Sequence, residues 1–397
     1  MVMIGKMRTF VNISNIPNRM ESIHIALVGG QPVPVNIGIR DDGNAQNIVL
    51  ICSPESSEVA GRIKNEFPDR TFRIEKCDSV NLTEIEELSE KLKAEFSDYE
   101  VTLNLTSGTK LWCLYFFNAF RDVPLARFIY VDQTNKIIDV LTKDVHIGDI
   151  DYLTRFKQHG TPLTSFTSYE DYTEKDFIVM NEVEKFRDWN RQDFALLTGN
   201  VNRNLLHNYE PIRPIDSGSK VEYDRETITI TLVDKKGKEH LATFKSPHVF
   251  DLVFNFGWFE LKVAKELTKF GSNVVKDIKL NCEFSYTSGN TKNEIDIIAD
   301  FGYRLVFVEC KTMIHDITDL DKFGSALRIF SGTSTIGVFA TNDDPHRAHG
   351  NFSSAKEKCK DNGILFFNFT RWKESGYAQN GSLKKLIEAK LHNQNIR

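Results

Sequence analysis

The first third of the chain alternates short apolar runs with amphipathic stretches. The apolar runs predict β-strands at 23–29, 47–53, 71–78, 101–106 and 127–132. Segments with a helical spacing of apolar residues lie between them, at 55–67, 82–96 and 109–122. Continuous apolar strands separated by helices are typical of a buried, mostly parallel sheet. We therefore predict an α/β domain over residues 1–153.

The pattern changes near residue 154. Residues 154–176 are polar and contain Gly160-Thr161-Pro162, which predicts a linker. A helix is predicted at 177–196, and the alternation on both sides of Lys235–Lys238 predicts a β-hairpin over 226–245. We group 154–246 as a linker region with a helix and a β-hairpin, and its sequence points to no chemistry.

Residues 247–397 predict a second α/β domain. It begins with a helix at 249–270 and three strands at 273–286, 293–299 and 304–311. The remaining elements alternate helix, strand, helix, strand and helix, at 317–330, 335–341, 353–361, 364–369 and 382–392.

Composition and charge narrow the class of protein. With 397 residues, 41% hydrophobic and 26% charged, extensive disorder is excluded. The net charge of −5 is uneven: residues 246–397 hold 20 Lys+Arg against 18 Asp+Glu, whereas the rest hold 30 against 37. The carboxy-terminal part is therefore the better candidate partner for a polyanion, although an ordinary solvated surface explains the same bias.

Cysteine spacing and hydropathy bear on the compartment. The six cysteines show no CxxC spacing, which argues against a zinc site and against a disulfide framework. The longest uncharged apolar block, 111–120, is too short to span a bilayer, and the amino terminus lacks the apolar core of a signal peptide. These features predict a cytoplasmic protein with no membrane partner.

Charged residues interrupt two strands of the second domain. Asp296 lies in one strand and Glu309 and Lys311 in the next, so paired strands would bring the two carboxylates together. Converging carboxylates repel each other, and Mg²⁺ or Mn²⁺ is the usual remedy because hard oxygen ligands suit these ions. Alternatively, these acids are the solvent face of a half-exposed hairpin.

A third acid lies on the preceding helix. Helical spacing puts Glu260 on an apolar stripe between Phe256 and Val263. An unpaired carboxylate there would cost several kcal/mol, so Glu260 needs a partner, either a metal or Lys311.

Strand ends of the first domain offer a ligand site. In open α/β sheets, ligands bind beyond the carboxyl ends of strands. The candidates are Gly29-Gly30-Gln31, Ser53-Pro54, Asp78, 105–110 and Asp132. The stretch "NLTSGTK" (104–110) ends a strand and opens a helix, where backbone N–H groups can hold an anion and Lys110 adds charge. It is not a Walker A loop, and an ordinary helix N-cap explains it equally well.

The acids and their order resemble a known superfamily. The pattern Glu260…Asp296…Glu309-Cys310-Lys311 resembles the PD-(D/E)xK nucleases of restriction-endonuclease-like fold, over about 150 residues, with Ile295 where the family name places proline. The resemblance implies that Asp296, Glu309 and the backbone carbonyl of Cys310 bind the metal. It also implies that Glu260 assists directly or through water, and that Lys311 orients or activates the attacking water.

The whole chain resembles the CARF nucleases, the ancillary effectors of type III CRISPR systems. These are homodimers whose Rossmann-like domain senses a cyclic oligoadenylate, commonly cyclic tetra-adenylate. The ligand switches on a domain that cuts single-stranded RNA and DNA and nicks DNA. Carried over by motif, the ligand contacts would come from two loops: Gly29, Gly30 and Gln31, and Thr106, Ser107, Gly108, Thr109 and Lys110.

Two other functions remain open from sequence. One is a DNA-repair or restriction endonuclease whose front domain binds another partner. The other is an inert, nucleotide-sensing protein that binds nucleic acid. The pair His346 and His349 is interpreted as part of a polar loop, and the Phe-rich stretches 254–260 and 365–372 are interpreted as core.

Overall fold

The structure is a computed structural model. It describes residues 21–199, 201, 203–285, 291–302, 304–329, 335–345, 351–370 and 382–394. The described chain forms two compact units, divided between Gly148 and Asp149. His346 and His349 lie outside the described residues, so the prediction of a polar loop there is untested.

The first unit is built on a seven-stranded sheet. Its strands are β1 (Ser22–Val28), β2 (Asn47–Cys52), β3 (Thr71–Lys76), β4 (Glu100–Asn104), β5 (Arg127–Val131), β6 (Lys136–Asp139) and β7 (Val145–Ile147). The order across the sheet is β3-β2-β1-β4-β5-β6-β7. The first five strands pair in parallel, and β6 and β7 add an antiparallel edge. The predicted α/β fold with a mostly parallel sheet is confirmed.

Helices cover both faces of this sheet. They are α1 (Pro32–Asp41), α2 (Ser57–Asn65), α3 (Leu82–Glu95) and α4 (Lys110–Phe120). Alternate residues of β1 enter two different cores: Val28 packs with α1 and α2, whereas Leu27 packs with α3 and α4. Burial on both faces explains the continuous apolar runs of the strands. Helix α1 was not predicted, because its sequence "PVPVNIGIRD" combines prolines with β-branched residues; Pro32 is tolerated in the first turn.

The second unit contains two sheets. A three-stranded antiparallel sheet is formed by β9 (Lys220–Tyr223), β10 (Thr227–Val233) and β11 (Glu239–Lys245), which confirms the predicted hairpin. A six-stranded sheet has the order β16-β15-β14-β13-β12-β8. Its strands are β8 (Leu163–Ser168), β12 (Asp277–Ser285), β13 (Thr291–Asp300), β14 (Leu305–Lys311), β15 (Ile336–Thr341) and β16 (Leu365–Asn368).

Nine helices accompany these two sheets within the described residues. They are α5 (Tyr152–Gln158), α6 (Glu174–Phe186), α7 (Arg191–Thr198), α8 (Arg203–His207), α9 (Val249–Val253), α10 (Gly257–Leu267), α11 (Thr318–Ile329), α12 (Phe352–Asp361) and α13 (Leu383–Gln394). None of the helices in the described parts of the chain has the length and apolar character needed to cross a membrane.

The segment interpreted as a linker, 154–176, is instead part of the second unit. Residues of α5 are buried, with Phe156 fully enclosed, and β8 pairs with β12 at the edge of the large sheet. The misinterpretation has a physical reason: an edge strand exposes much of its surface, so its sequence is polar although its backbone is paired.

The single helix predicted at 249–270 is broken. Helix α9 ends before a 3₁₀ turn at Phe254–Phe256, in which Asn255 and Phe256 have φ of 55° and 67°. A β-carbon at Gly257 would lie 1.9 Å from the carbonyl oxygen of Asp251, so only glycine lets the chain turn back this closely. The break places Glu260 in the first turn of α10 rather than in the middle of a long helix.

Candidate functional sites: the strand-end loops and the acidic cavity

Strand order reverses between β1 and β4 in the first unit. The two strands are neighbours, paired in parallel with Ala26 opposite Asn104. The chain leaves β1 toward α1 on one face and leaves β4 toward α4 on the other. Ligands of doubly wound sheets bind in the crevice at such a reversal. Both loops predicted from the sequence, Gly29–Gln31 and 105–110, are at this point.

The two loops contact each other directly. The Ser107 hydroxyl donates to the carbonyl oxygen of Gln31 at 2.6 Å. A β-carbon at Gly29 would lie 1.9 Å from the Ser107 carbonyl oxygen, and one at Gly108 would lie 2.6 Å from Cβ of Leu27. Gly30, by contrast, has open space around it. Glycine at 29 and 108 therefore permits the close approach of the loops.

The threonines of the second loop serve its own structure. The Thr106 hydroxyl donates to Asn104 Oδ1 at 2.7 Å and accepts from the backbone N–H of Val131 at 2.8 Å. Thr109 caps α4, its hydroxyl accepting from the Trp112 N–H at 3.2 Å. The N-cap interpretation is thus correct for Thr109. Lys110, the first residue of α4, is exposed and has no ion-pair partner within the described residues.

Other polar strand ends hold the surrounding loops. Asp132 Oδ1 accepts from the backbone N–H groups of Thr134 and Lys136, which closes the β5–β6 turn. The Ser56 hydroxyl, which the sequence analysis missed, donates to the Val28 carbonyl at 2.7 Å. Asp132 is thereby committed to a turn, and Ser56 fixes the end of β1.

A cavity of about 850 Å³ lies in the second unit. Its wall includes the predicted Glu260, Asp296, Cys310 and Lys311. Strands β13 and β14 are paired with Ile297 opposite Val308, so Asp296 and Glu309 follow at the next position of the same register. The hairpin that was predicted to bring the two carboxylates together is therefore present.

Hydrogen bonds and ion pairs fix these groups. The backbone N–H of Cys310 donates to Asp296 Oδ2 at 2.6 Å. Lys311 Nζ lies 2.7 Å from Glu309 Oε1 and 3.7 Å from Asp319 Oδ2. Asp319, in the first turn of α11, was not predicted; its only sequence signal is an acid at a helix start. Lys311 therefore bridges a strand acid and a helix acid.

The acids carry strongly perturbed pKa values. Burial raises the pKa of Asp296 to about 6, against the opposing effects of Lys311 and the Cys310 N–H. Burial and then repulsion by Asp296 raise the pKa of Glu309 to about 8. The same two causes raise the pKa of Glu260 well above its usual range. Burial lowers the pKa of Lys311, but Glu309 and Asp296 outweigh it and hold that pKa above its ordinary value. The raised pKa values show that burial and mutual repulsion disfavour the simultaneous ionisation of these carboxyl groups, even with the Lys311 ammonium nearby.

The oxygen atoms of this cavity suit a hard divalent cation, but their arrangement is not that of a formed metal site. Carboxylate and carbonyl oxygens are the ligands that Mg²⁺ and Mn²⁺ prefer. Within the described ranges, however, no three His, Cys, Asp or Glu side chains converge as a formed metal-binding group. Glu309 is held by the Lys311 ammonium instead. A cation would have to compete with Lys311 for that carboxylate.

Strained backbone surrounds this cavity. Among the described residues of the second unit, all four non-glycine residues with positive φ line it: Tyr209, Asn255, Phe256 and Asn281. In the β12–β13 register, Leu280 pairs with Ile297 and Cys282 pairs with Ile295, so Asn281 lies opposite Asp296. Left-handed conformations of such residues cost free energy and cluster at functional sites. This clustering supports the cavity as the site of chemistry in the second unit.

The middle region also reaches the cavity. His207, Tyr209 and Arg225 form part of its wall. The sequence analysis assigned no chemistry to this region, because its residues join Asp296 and Lys311 only through the tertiary fold.

Comparisons with known proteins agree with this arrangement. Residues 23–151 match the family model of the Card1 CARF domain. No curated protein matches the sequence. The structure is similar to that of Can2 from Sulfobacillus thermosulfidooxidans in complex with cyclic tetra-adenylate, with a TM-score of 0.62 and 19% identity over 87% of this chain and 95% of that one.

Two further solved structures share the fold. A protein from Vibrio cholerae gives a TM-score of 0.65 at 14% identity, over 94% of this chain and 97% of that one. A type III CRISPR defence DNA nuclease activated by cyclic oligoadenylate gives 0.54 at 16% identity, over 93% of this chain but only 53% of that one. At these identities the likeness shows a common fold. The family match covers residues 23–151, the region that contains the seven-stranded sheet and the two loops in contact at its strand ends. The amino-terminal unit of this chain is therefore a CARF domain.

Proposed function

We propose that this protein is a metal-dependent endonuclease, switched on by a cyclic oligoadenylate, that cuts single-stranded RNA or DNA in type III CRISPR defence. The observation that carries the proposal is that Asp296 and Lys311 line one cavity, with Glu309 2.7 Å from the Lys311 ammonium, in a chain whose other unit is a CARF domain. The second unit would then be a PD-(D/E)xK nuclease domain. Can2, which shares the fold, is described in complex with cyclic tetra-adenylate, and this activator is proposed here as well.

The activator would bind at the crevice between β1 and β4. Each phosphate of a cyclic oligoadenylate carries one negative charge. The start of α4 is the positive end of the helix dipole and carries the exposed Lys110, both favourable to an anion. Ser107 and Gly29 hold the two loops together, which leaves Gly30 and Lys110 at the open side of the pair.

The chemistry would occur in the acidic cavity. Asp296, Glu309 and the Cys310 carbonyl would hold Mg²⁺ or Mn²⁺, which would polarise the scissile phosphate and lower the pKa of bound water. The Cys310 N–H keeps Asp296 oriented toward the cavity. Lys311, once separated from Glu309, would donate to a phosphate oxygen and stabilise the charge that develops there. Glu260, whose pKa is raised, would hold a proton that it can exchange with water in the cavity.

A two-fold homodimer would suit a ring of even symmetry. Each subunit would offer the same pair of loops to opposite halves of the ring, so one ring would bind two chains. Calorimetry combined with sedimentation measures this ratio. One ring per chain on a monomer would contradict the symmetric arrangement.

The deciding experiment is a titration with cyclic oligoadenylates, with and without Mn²⁺, on single-stranded RNA and single-stranded DNA. Cleavage that requires both the activator and the metal is expected. Metal-dependent cleavage without any activator would favour a repair or restriction nuclease. Activator binding without cleavage of either substrate would favour an inert sensor. Full activity in excess EDTA would contradict the metal mechanism.

A further inference from the structure

The rim of the acidic cavity pairs an aromatic ring with a cation. Tyr209 and Arg225 both line the cavity that contains Asp296 and Lys311. The Arg225 guanidinium carbon lies 6.0 Å from the centroid of the Tyr209 ring. Tyr209 is 45% exposed, so one face of its ring remains accessible. This pair belongs to the middle region, outside the acids already described.

Two tight turns hold the pair in place. The backbone N–H of Glu210 donates to the Leu205 carbonyl at 2.9 Å, which closes the turn that carries Tyr209. The Tyr223 hydroxyl donates to the Glu210 carbonyl and so ties this turn to the end of β9. Arg225 sits at the tip of the β9–β10 turn, where Asp224 Oδ1 accepts from the N–H groups of Glu226 and Thr227. Tyr223 therefore connects both turns.

The backbone of Tyr209 is strained to present this ring. Its φ is 54°, a left-handed conformation that is rare for a bulky residue. An exposed tyrosine makes few packing contacts that could offset the free-energy cost of this backbone conformation. Strained residues cluster at functional sites. The left-handed conformation at this cavity rim therefore indicates that the ring position affects binding in the cavity.

The charges favour a polyanion at this rim. Within the part of the chain that the structure describes, Arg225 has no carboxylate partner. The neighbouring His207 is also exposed and lines the same cavity. The ionised Asp296 in the cavity wall repels phosphates, so cations at the rim help a nucleic acid to approach. Guanidinium groups bind phosphates, and aromatic rings stack on unpaired bases.

We infer that Tyr209 and Arg225 form a subsite for one nucleotide of a single strand, with the base stacked on the tyrosine and a phosphate bound by the arginine. The inference rests on the proposed nuclease function. Only an unstacked base exposes a face to the ring, so the subsite favours single strands over duplexes. Tyr209 and Arg225 would thus bind the substrate, whereas the proposed cleavage chemistry belongs to Asp296, Glu309 and Lys311.

Binding of a fluorescein-labelled oligothymidylate, followed by anisotropy in EDTA with and without cyclic tetra-adenylate, tests the subsite without cleavage. Tyr209→Ala is expected to weaken binding about tenfold, and Tyr209→Phe to retain it, because stacking needs the ring and not the hydroxyl.

Arg225→Ala is expected to weaken binding and to reduce the slope of log affinity against log salt by about 0.7, while Arg225→Lys keeps the slope. Arg213, exposed and outside the cavity wall, supplies the matched control Arg213→Ala.

The outcomes separate the subsite from the nuclease. If Tyr209→Ala and Arg225→Ala bind the oligothymidylate as the wild type does, or if the wild type binds no single strand in either condition, the subsite is overturned. If both variants bind weakly while the wild type cuts neither RNA nor DNA with activator and Mn²⁺, the subsite stands and the proposed nuclease activity falls. A labelled duplex of the same length should bind all variants equally, and an equal loss for the duplex would overturn the preference for single strands.

Discussion

Gly29 lies against the backbone carbonyl of Ser107, at a distance that admits no side chain: a β-carbon at position 29 would stand 1.9 Å from that oxygen. The two residues lie in different loops, which follow the neighbouring parallel strands β1 and β4. Their contact fixes the shape of the crevice at the reversal of strand order. Substitution of Gly29 therefore tests whether this shape is needed for ligand binding.

Gly29→Ala should disrupt this crevice. Either loop would have to move, and overpacking of this kind typically costs about 1–3 kcal/mol of stability. We expect a lower Tm and strongly weakened binding of cyclic tetra-adenylate, measured by calorimetry. Gly43→Ala is the matched control, because nothing lies within 4 Å of the added carbon and Gly43 is outside both loops. Equal behaviour of the two variants would show that the loop contact does not shape the site.

Lys110→Ala should weaken activator binding without affecting stability. Lys110 is exposed at the first position of α4, where its charge adds to that of the helix start. Loss of one charge-assisted hydrogen bond predicts a decrease in binding free energy of ~1.5–3 kcal/mol. Lys64→Ala, in the last turn of α2, is the control for loss of a positive charge. Unchanged calorimetric affinity in Lys110→Ala would remove this loop from the ligand site.

Glu309→Gln and Lys311→Ala should each reduce cleavage of single-stranded substrate by ~10²-fold or more, because the proposed mechanism uses Glu309 to hold the metal and Lys311 to stabilise charge on the reacting phosphate. Their affinity for the activator should equal that of the wild type, because the substitutions lie in the other unit. Lys360→Ala, exposed on α12, should cut normally. Cleavage at the wild-type rate in either site variant would mean that the reaction occurs elsewhere.

Cation binding should strengthen as the pH rises. The pKa of Asp296 is about 6 and that of Glu309 about 8 in the absence of a cation, and a protonated carboxyl group is a poor ligand. Calorimetry with Mn²⁺ should therefore show affinity increasing between about pH 6 and pH 8, with proton release. A pH-independent affinity in this range would argue against Glu309 as a ligand.

The raised pKa of Glu309 also predicts how the stability of the metal-free protein depends on pH. Above the ordinary value of 4.5 and below about 8, folded Glu309 keeps a proton that the unfolded chain has lost. Stability therefore falls as the pH rises through this window. Glu309→Gln should remove this part of the pH dependence, which urea denaturation at several pH values would detect.

Asp176→Asn should lower the stability of the second unit by ~2 kcal/mol at neutral pH. Burial raises the pKa of Asp176, but the N–H and hydroxyl of Thr173 and the N–H of His248 outweigh it and lower that pKa to about 2. The stabilisation is present above about pH 4 and is lost as the pH falls toward 2. Urea denaturation against pH measures it, with the exposed Asp188→Asn as control.

Local patterns determined much of this fold. Alternation along two strands separated by a short turn was enough to predict the hairpin of β13 and β14, because hairpin strands are neighbours in sequence and in space. Buried strands alternating with helices likewise specified the parallel sheet. The helix predicted at 109–122 was readable from its apolar spacing, and Thr109 caps it.

Tertiary structure decided the features that depend on distant residues. The polar segment 163–168 is a strand because β12 pairs with its backbone, and composition carries no trace of that pairing. Helix α10 starts at Gly257 because the chain folds back onto Asp251, which hydrophobic spacing cannot reveal. Tyr209 and Arg225 reach the cavity of Asp296 through the packing of separate elements, since the sequence specifies each turn but not the surface that the turn faces.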